Sequence, residues 1–176
     1  MNEYATMDRE QLLVALAAFA KNWLAHDGSW FLAAEERFGM ETAIELDAAA
    51  WSRFAPAEAK RALELLGLAP GGGLAALARV LGARMYTLVN PYRIEWAEDG
   101  TVLRFVTESC RVQQTRRRKG LPDFPCKSVG EVEFAGLART VDPRIRVRCI
   151  ACPPDPGANG ACAWEFTLGD GDKARP

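Results

Sequence analysis

The hydrophobic pattern changes period near residue 85, and this switch constrains the fold more than any other feature of the 176 residues. Before it, apolar residues return every three or four positions, as one face of an amphipathic helix requires. After it they alternate with polar residues, as half-buried strands do. The sequence therefore predicts an α+β protein: an N-terminal helical region, 1–82, packed on a C-terminal antiparallel sheet of about four strands in 83–176, with one covering helix. Whether these are two regions or one continuous domain is open at this level. A content of 49% hydrophobic and 26% charged residues excludes a disordered chain and supports a buried core.

In the first region Asp8 caps a helix whose Leu12, Leu13, Leu16, Phe19, Ala20 and Trp23 share a face. Asp27-Gly28-Ser29 is expected to end it, because Gly weakens helices while Asp and Ser favour caps. Further helices are expected over about 29–38, closed by Gly39, over 41–54, and over 57–66 with Pro56 in the first turn and Gly67 at the end. After Pro70-Gly71-Gly72-Gly73 comes a short helix, 74–81. In the second region strands are expected over 87–96 and 101–107, joined at the hairpin signal Glu98-Asp99-Gly100. A helix over about 128–140 and strands over 144–150 and 161–168 follow, the last pair around a Pro-rich loop at 153–157. The stretch 108–126 reads as a basic run and a turn, and the last few residues as a frayed tail.

No uncharged apolar run approaches the roughly 18 residues of a membrane span, so no membrane partner is expected. The N-terminus carries acids where a secretory signal carries bases, which points to a cytoplasmic protein. With 22 basic and 23 acidic residues the net charge is −1, which gives no general reason to bind nucleic acid. The densest basic patch, Arg116-Arg117-Arg118-Lys119 with Arg111 upstream, has no interleaved aromatic residues. It reads as a solvated helix end or as a cluster that holds a carboxylate or phosphate.

All five cysteines lie in the second region, and an odd number without an export signal favours thiols or metal ligands over disulfides. Cys149 and Cys152 form a C-x-x-C pair at a strand end, and Cys162 returns after the Pro-rich loop. Cys126 stands where the following helix begins. Cys126, Cys149, Cys152 and Cys162 are thus expected to converge on one metal, Zn²⁺ or alternatively a [4Fe–4S] cluster, with Cys110 as a spare thiol. Burial as small hydrophobes and thiol–disulfide chemistry are the competing readings. His26 is the only histidine, with Trp23, Asp27 and Trp30 near it at helical spacing. It reads either as a general base beside an aromatic, anion-binding pocket or as a residue at a helix end.

The segments His26-Asp27-Gly28-Ser29-Trp30-Phe31, Cys110-Arg111-Val112-Gln113, Asp123-Phe124-Pro125-Cys126-Lys127-Ser128-Val129-Gly130, Cys149-x-x-Cys152-Pro153-Pro154-Asp155 and Cys162-Ala163-Trp164 carry a resemblance. Over nearly its whole length the chain resembles an uncharacterised family of prokaryotic cytosolic proteins, some of which are labelled L-2-amino-thiazoline-4-carboxylate hydrolase-like. The second region is also similar to the 4-vinyl reductase-type ligand-binding domain, in which a Cys opens a Gly-containing helix and two further Cys precede an aromatic-Glu strand. This second resemblance implies a small hydrophobic ligand and metal-binding cysteines.

Two functions follow. The first is a cytosolic module that binds a small molecule or a metal, with Trp30, Arg111 and Arg116 at the ligand. The second is a hydrolase of a small heterocyclic carboxylate, with His26 as base and an arginine from 111–118 on the carboxylate. The expected partner is a small molecule, and a homodimer is an open arrangement.

Overall fold

The computed structural model describes residues 2–156, 158 and 161–169. Asp8 caps the first helix as expected: its carboxylate accepts from the Gln11 amide at 2.8 Å, and the Gln11 side chain accepts from the Asp8 amide at 2.9 Å. The helix that follows, α1 (Arg9–Leu66), departs from helical geometry at Gly39 (φ 84°, ψ 165°). Glycine takes that conformation at little cost. Trp23 before the break meets Trp51 and Phe54 after it, with ring centroids 6.3 and 5.8 Å apart. The chain therefore doubles back at Gly39, and α1 is a helical hairpin of two long arms.

Two expected helix ends are corrected. The first arm runs through Asp27-Gly28-Ser29, and the second runs through Pro56. Gly28 costs about 1 kcal/mol in a helix relative to Ala. Buried Leu24 precedes it, and Phe31 after it packs on Phe124 with centroids 4.4 Å apart, so tertiary contacts on both sides carry the helix across. The Ser29 hydroxyl donates to the Ala25 carbonyl at 2.7 Å and so joins the helix instead of ending it. Pro56 lies between the fully buried Ala55 and Ala59 on the packed face. Gly67 ends α1 in the left-handed conformation, as predicted.

The second region is a four-stranded antiparallel sheet. Its strands are β1 (Tyr92–Trp96), β2 (Val102–Thr107), β3 (Ile145–Ala151) and β4 (Cys162–Leu168), in the order β1-β2-β4-β3. β1 begins five residues later than expected, because Met85–Leu88 forms a 3-10 turn. The basic segment contains a helix, α3 (Arg111–Arg118), that the periodicity had not marked. The covering helix α4 (Lys127–Val141) is in place, with Cys126 at its N-cap. Its Phe134 packs on Trp164, Phe105 and Phe166 of the sheet, and its other side meets α1 where Gly136 faces Ala55 and Pro56.

A further helix, α2 (Gly73–Gly82), buries Leu74, Leu77, Val80 and Leu81. Asp142 ties its start to the end of α4 by accepting from the Gly73 amide at 3.0 Å. The Arg144 guanidinium holds the Asp142 carboxyl down to about 2. One hydrophobic core crosses the residue 82 boundary, from Trp51 and Leu63 through Leu77 and Leu137 to Leu103 and Phe166. On the outer face of the sheet Glu165 pairs with Arg104 and Arg148 at 2.9 and 2.6 Å. Gly157 and the expected tail after 169 lie outside the described residues. No helix among the described residues is long and apolar enough to cross a membrane.

Candidate functional site

A cavity of about 420 Å³ lies between the first arm of α1, α3, α4 and the sheet. That is within the range of small-molecule pockets. Its depth is aromatic: Trp51, Tyr86, Phe105, Phe134 and Trp164 all line it. Trp164 reaches the cavity because α4 carries Gly130 where it crosses β4. A Cβ there would come within 2.5 Å of Trp164 Cζ2.

One end of the cavity is ionic. Arg84 is buried between Glu58 and Glu133 at 2.9 and 2.6 Å, and its guanidinium lies over the rings of Trp51, Tyr86 and Phe134. Burial works against the Arg84 charge, but the two carboxylates outweigh it and keep the guanidinium protonated. Asp27 and Asp47 line the same end. Burial, then Asp27 and Glu133, pushes the Asp47 carboxyl up to about 7. Burial also raises Asp27.

The other end holds four thiols: Cys110, Cys126, Cys152 and Cys162. Cys152 is 2% exposed and sits 3.6 Å, sulfur to sulfur, from Cys126. Its hydrogen bonding to Cys126 and Cys162 raises its own thiol, while the bond from Cys152 lowers Cys162. Burial pushes Cys110 up to about 11. Close by, the indole N–H of Trp164 is buried and has no hydrogen-bond partner among the described residues. Gln113, 1% exposed, braces this end: its amide donates to the Phe124 carbonyl at 2.7 Å and accepts from the Phe124 amide at 2.9 Å.

Exposed cations complete the lining at the rim: Lys21, Arg111, Arg118 and Lys119. The cavity thus has a basic mouth, thiols near it and an aromatic depth. That arrangement suits an apolar chain with an anionic head.

The structure separates several residues that the sequence grouped. Cys149 does not line the cavity. The register of β3 on β4 shifts between Cys149 and Ala151; Lys127, Asp155 and Cys162 act electrostatically on Cys149, and Cys152 sits against Cys126. Burial raises the Cys149 thiol to about 11. Among the described residues no group of three or more His, Cys, Asp or Glu side chains is placed to hold a metal ion.

Arg116 does line the cavity, but three of its donors are held within the protein. Two go to the Glu35 carboxylate at 2.6 and 2.9 Å and one to the Pro122 carbonyl at 2.7 Å. It is a clamp between α3 and α1. Trp30 is 70% exposed, and neither it nor the exposed His26 lines the cavity. Of the expected ligand-binding residues, only Arg111 stands at the cavity with its charge turned to solvent. The sequence reading missed Asp47, Arg84, Glu133 and the Trp164 N–H. The available signal was charge interrupting apolar helix faces, as at Glu133 between Val132 and Phe134.

No curated protein matches the chain. Among solved structures, the crystal structure of a trafficking protein particle complex subunit 3 from Naegleria fowleri covalently bound to palmitic acid is similar in fold. The TM-score is 0.50 at 11% identity, over 89% of this chain and 96% of that one. A family model matches residues 5–168, and the chain belongs to that family, a Family of unknown function (DUF6125).

Proposed function

We propose that this protein binds an elongated apolar molecule with an anionic head, of the fatty-acyl type, in the cavity between α1 and the sheet. The observation that carries this reading is the polarity of the cavity. Exposed Lys21, Arg111, Arg118 and Lys119 mark the mouth, and Phe105, Phe134 and Trp164 mark the depth. The structural neighbour, which holds palmitic acid covalently, supports the same ligand class. In a hydrolase reading His26 would need to reach the bound molecule, and His26 does not line this cavity.

The test is titration of protein stripped of bound lipid with a long-chain fatty acid, followed by tryptophan fluorescence. Trp51 and Trp164 line the cavity and report directly on filling. Saturable binding at one molecule per chain is the expected result. Binding that never saturates, or that a short-chain acid reproduces equally well, overturns the reading.

We further propose a second copy of the chain as a partner. Residues 12–20 form nine consecutive uncharged apolar positions, and Leu13, Val14 and Leu16 are 51%, 71% and 52% exposed. A helix that is apolar on most sides calls for a cover. Antiparallel pairing with a second copy about Ala15 and Leu16 sets Leu12 opposite Phe19 and Glu10 opposite Lys21. A dimer by light scattering, converted to monomer by Leu13→Glu, is the expected outcome; a monomeric wild-type chain at all concentrations rejects it.

A further inference from the structure

We infer that Cys162 is an acyl-acceptor thiol, which takes a long-chain acyl group from an acyl thioester, and that the Trp164 N–H is the donor that receives the acyl carbonyl oxygen. This rests on the acyl-binding reading above and adds to it the attacking atom and its helper.

Three independent observations single out this pair. First, Cys162 and Trp164 are two residues apart on β4, so both side chains leave the same face of the sheet, and both line the cavity. Second, the indole N–H is buried and unpartnered among the described residues. A buried donor without an acceptor is costly and uncommon, and it marks a place where a ligand oxygen completes the bond. Third, the four cavity thiols are not equivalent. Cys152 is 2% exposed and sits 3.6 Å from the Cys126 sulfur, whereas Cys162 is partly buried and stands two residues from the open indole N–H on the same face of β4.

The position along the cavity also fits. Cys162 pairs with Thr107 at the end of β2, three residues before Cys110 at the N-cap of α3, and α3 carries Arg111 and Arg118 of the rim. A thioester carbonyl at Cys162 thus leaves the donor's polar carrier at the basic mouth and sends the acyl chain toward Phe105 and Phe134.

The chemistry is a transthioesterification. The Cys162 sulfur attacks the carbonyl carbon and forms a new carbon–sulfur bond, and the carbonyl electron pair moves onto oxygen, where the Trp164 N–H meets it. The pair then returns, the carbon–sulfur bond to the carrier breaks, and the carrier leaves as its thiol with the proton that Cys162 gave up. No oxidant or reductant is needed, because one thioester replaces another.

The experiment incubates the full chain with a long-chain acyl-coenzyme A thioester and reads intact mass, with free fatty acid titrated in parallel. The expected result is one added acyl group per chain, released by neutral hydroxylamine and mapped by peptide mass spectrometry to Cys162. Trp164→Phe, assayed at saturating thioester, should slow the acylation at least about tenfold. Cys149→Ser, which lies outside the cavity lining, should acylate normally. Mapping is done on the wild-type chain, so the result does not depend on whether Cys162→Ser folds. Binding of free acid without any adduct, or an adduct on Cys110, Cys126 or Cys152, overturns this inference and leaves the cavity reading intact. An unchanged rate in Trp164→Phe removes the donor role. Absence of acid binding overturns the cavity reading and this inference with it.

Discussion

At the ionic end of the cavity Arg84 is 1% exposed and saturated, with Glu58, Glu133 and three aromatic rings around it. At the thiol end the equally buried Trp164 has an N–H with no acceptor. Both ends face the same apolar space, yet one has spent its hydrogen-bonding capacity within the protein and the other has not. The difference teaches where a ligand belongs: a closed ion cluster holds helices together, while an open donor beside the partly buried Cys162 sulfur waits for an oxygen. Each end can be broken separately, and the two should fail differently.

The largest effect is expected at the ionic end. Arg84→Met leaves the Glu58 and Glu133 carboxylates facing each other without a cation, close to Asp47. Breaking a buried pair by removing one partner costs about 3–5 kcal/mol. Thermal unfolding should therefore fall by on the order of 10 °C for a chain of this size. Adding Glu58→Gln and Glu133→Gln in the same chain should recover part of the loss, because the unpaired charges are then gone. If Arg84→Met unfolds at the wild-type temperature, the cluster is not the structural element described here.

At the thiol end the corresponding break is Gly130→Ala. The new methyl would meet Trp164 Cζ2 at 2.5 Å and push the indole from its place. Overpacking of this kind costs about 1–3 kcal/mol. Fatty-acid affinity and acylation should fall together with stability, which the ionic-end variant does not predict. Trp164→Phe in the same chain removes the clashing atoms and should restore stability but not acylation. Denaturant unfolding with and without ligand separates these outcomes.

The contrast also shows what a sequence discloses. Period and caps were enough to place α4, the four strands, Gly39 and Gly67. The continuity of the helix through Gly28 and Pro56 was invisible, because local propensity argues for an end and only packing of Leu24, Phe31 and Ala55 keeps the helix going. Four of the five cysteines do gather, but the C-x-x-C pair splits, since the bulge after Cys149 is a backbone irregularity that spacing does not encode. Arg116 read as a ligand holder because its partner, Glu35, is 81 residues away. An orphaned indole N–H is likewise a property of surroundings, never of a residue type.

A pH scan sharpens the comparison at a smaller scale. Asp47 has a folded value of about 7 against an ordinary 3.8, so the folded state keeps a proton that the unfolded state releases. Stability from this group is full below about pH 4 and declines as the pH rises toward 7, then levels off. Asp27 acts in the same direction, whereas Asp142, held down to about 2, loses its contribution only in stronger acid. Asp47→Asn should flatten the slope between pH 4 and 7. A slope that survives this substitution would move the proton to another carboxylate of the ionic end.

The smallest effect belongs to the rim, and it tests the link between the thiol end and the outside. Arg111 follows the N-cap residue of α3, where the Asn90 side chain accepts from its backbone amide at 2.8 Å, so the amide is fixed while the guanidinium remains exposed. An exposed charge acting on a ligand head across water is worth about 1 kcal/mol at most, roughly a fivefold change in affinity. Arg111→Ala should therefore weaken binding of a long-chain fatty acid about fivefold at low ionic strength, and the deficit should shrink as salt approaches 1 M and screening sets in within about 3 Å. The backbone bond to Asn90 does not involve the side chain, so stability should change little. The matching fatty alcohol, with the same chain and no charge, should bind wild type and variant equally. An equal loss for acid and alcohol would mean that Arg111 shapes the mouth sterically; no loss for either would place the anionic head against Lys21, Arg118 or Lys119 instead.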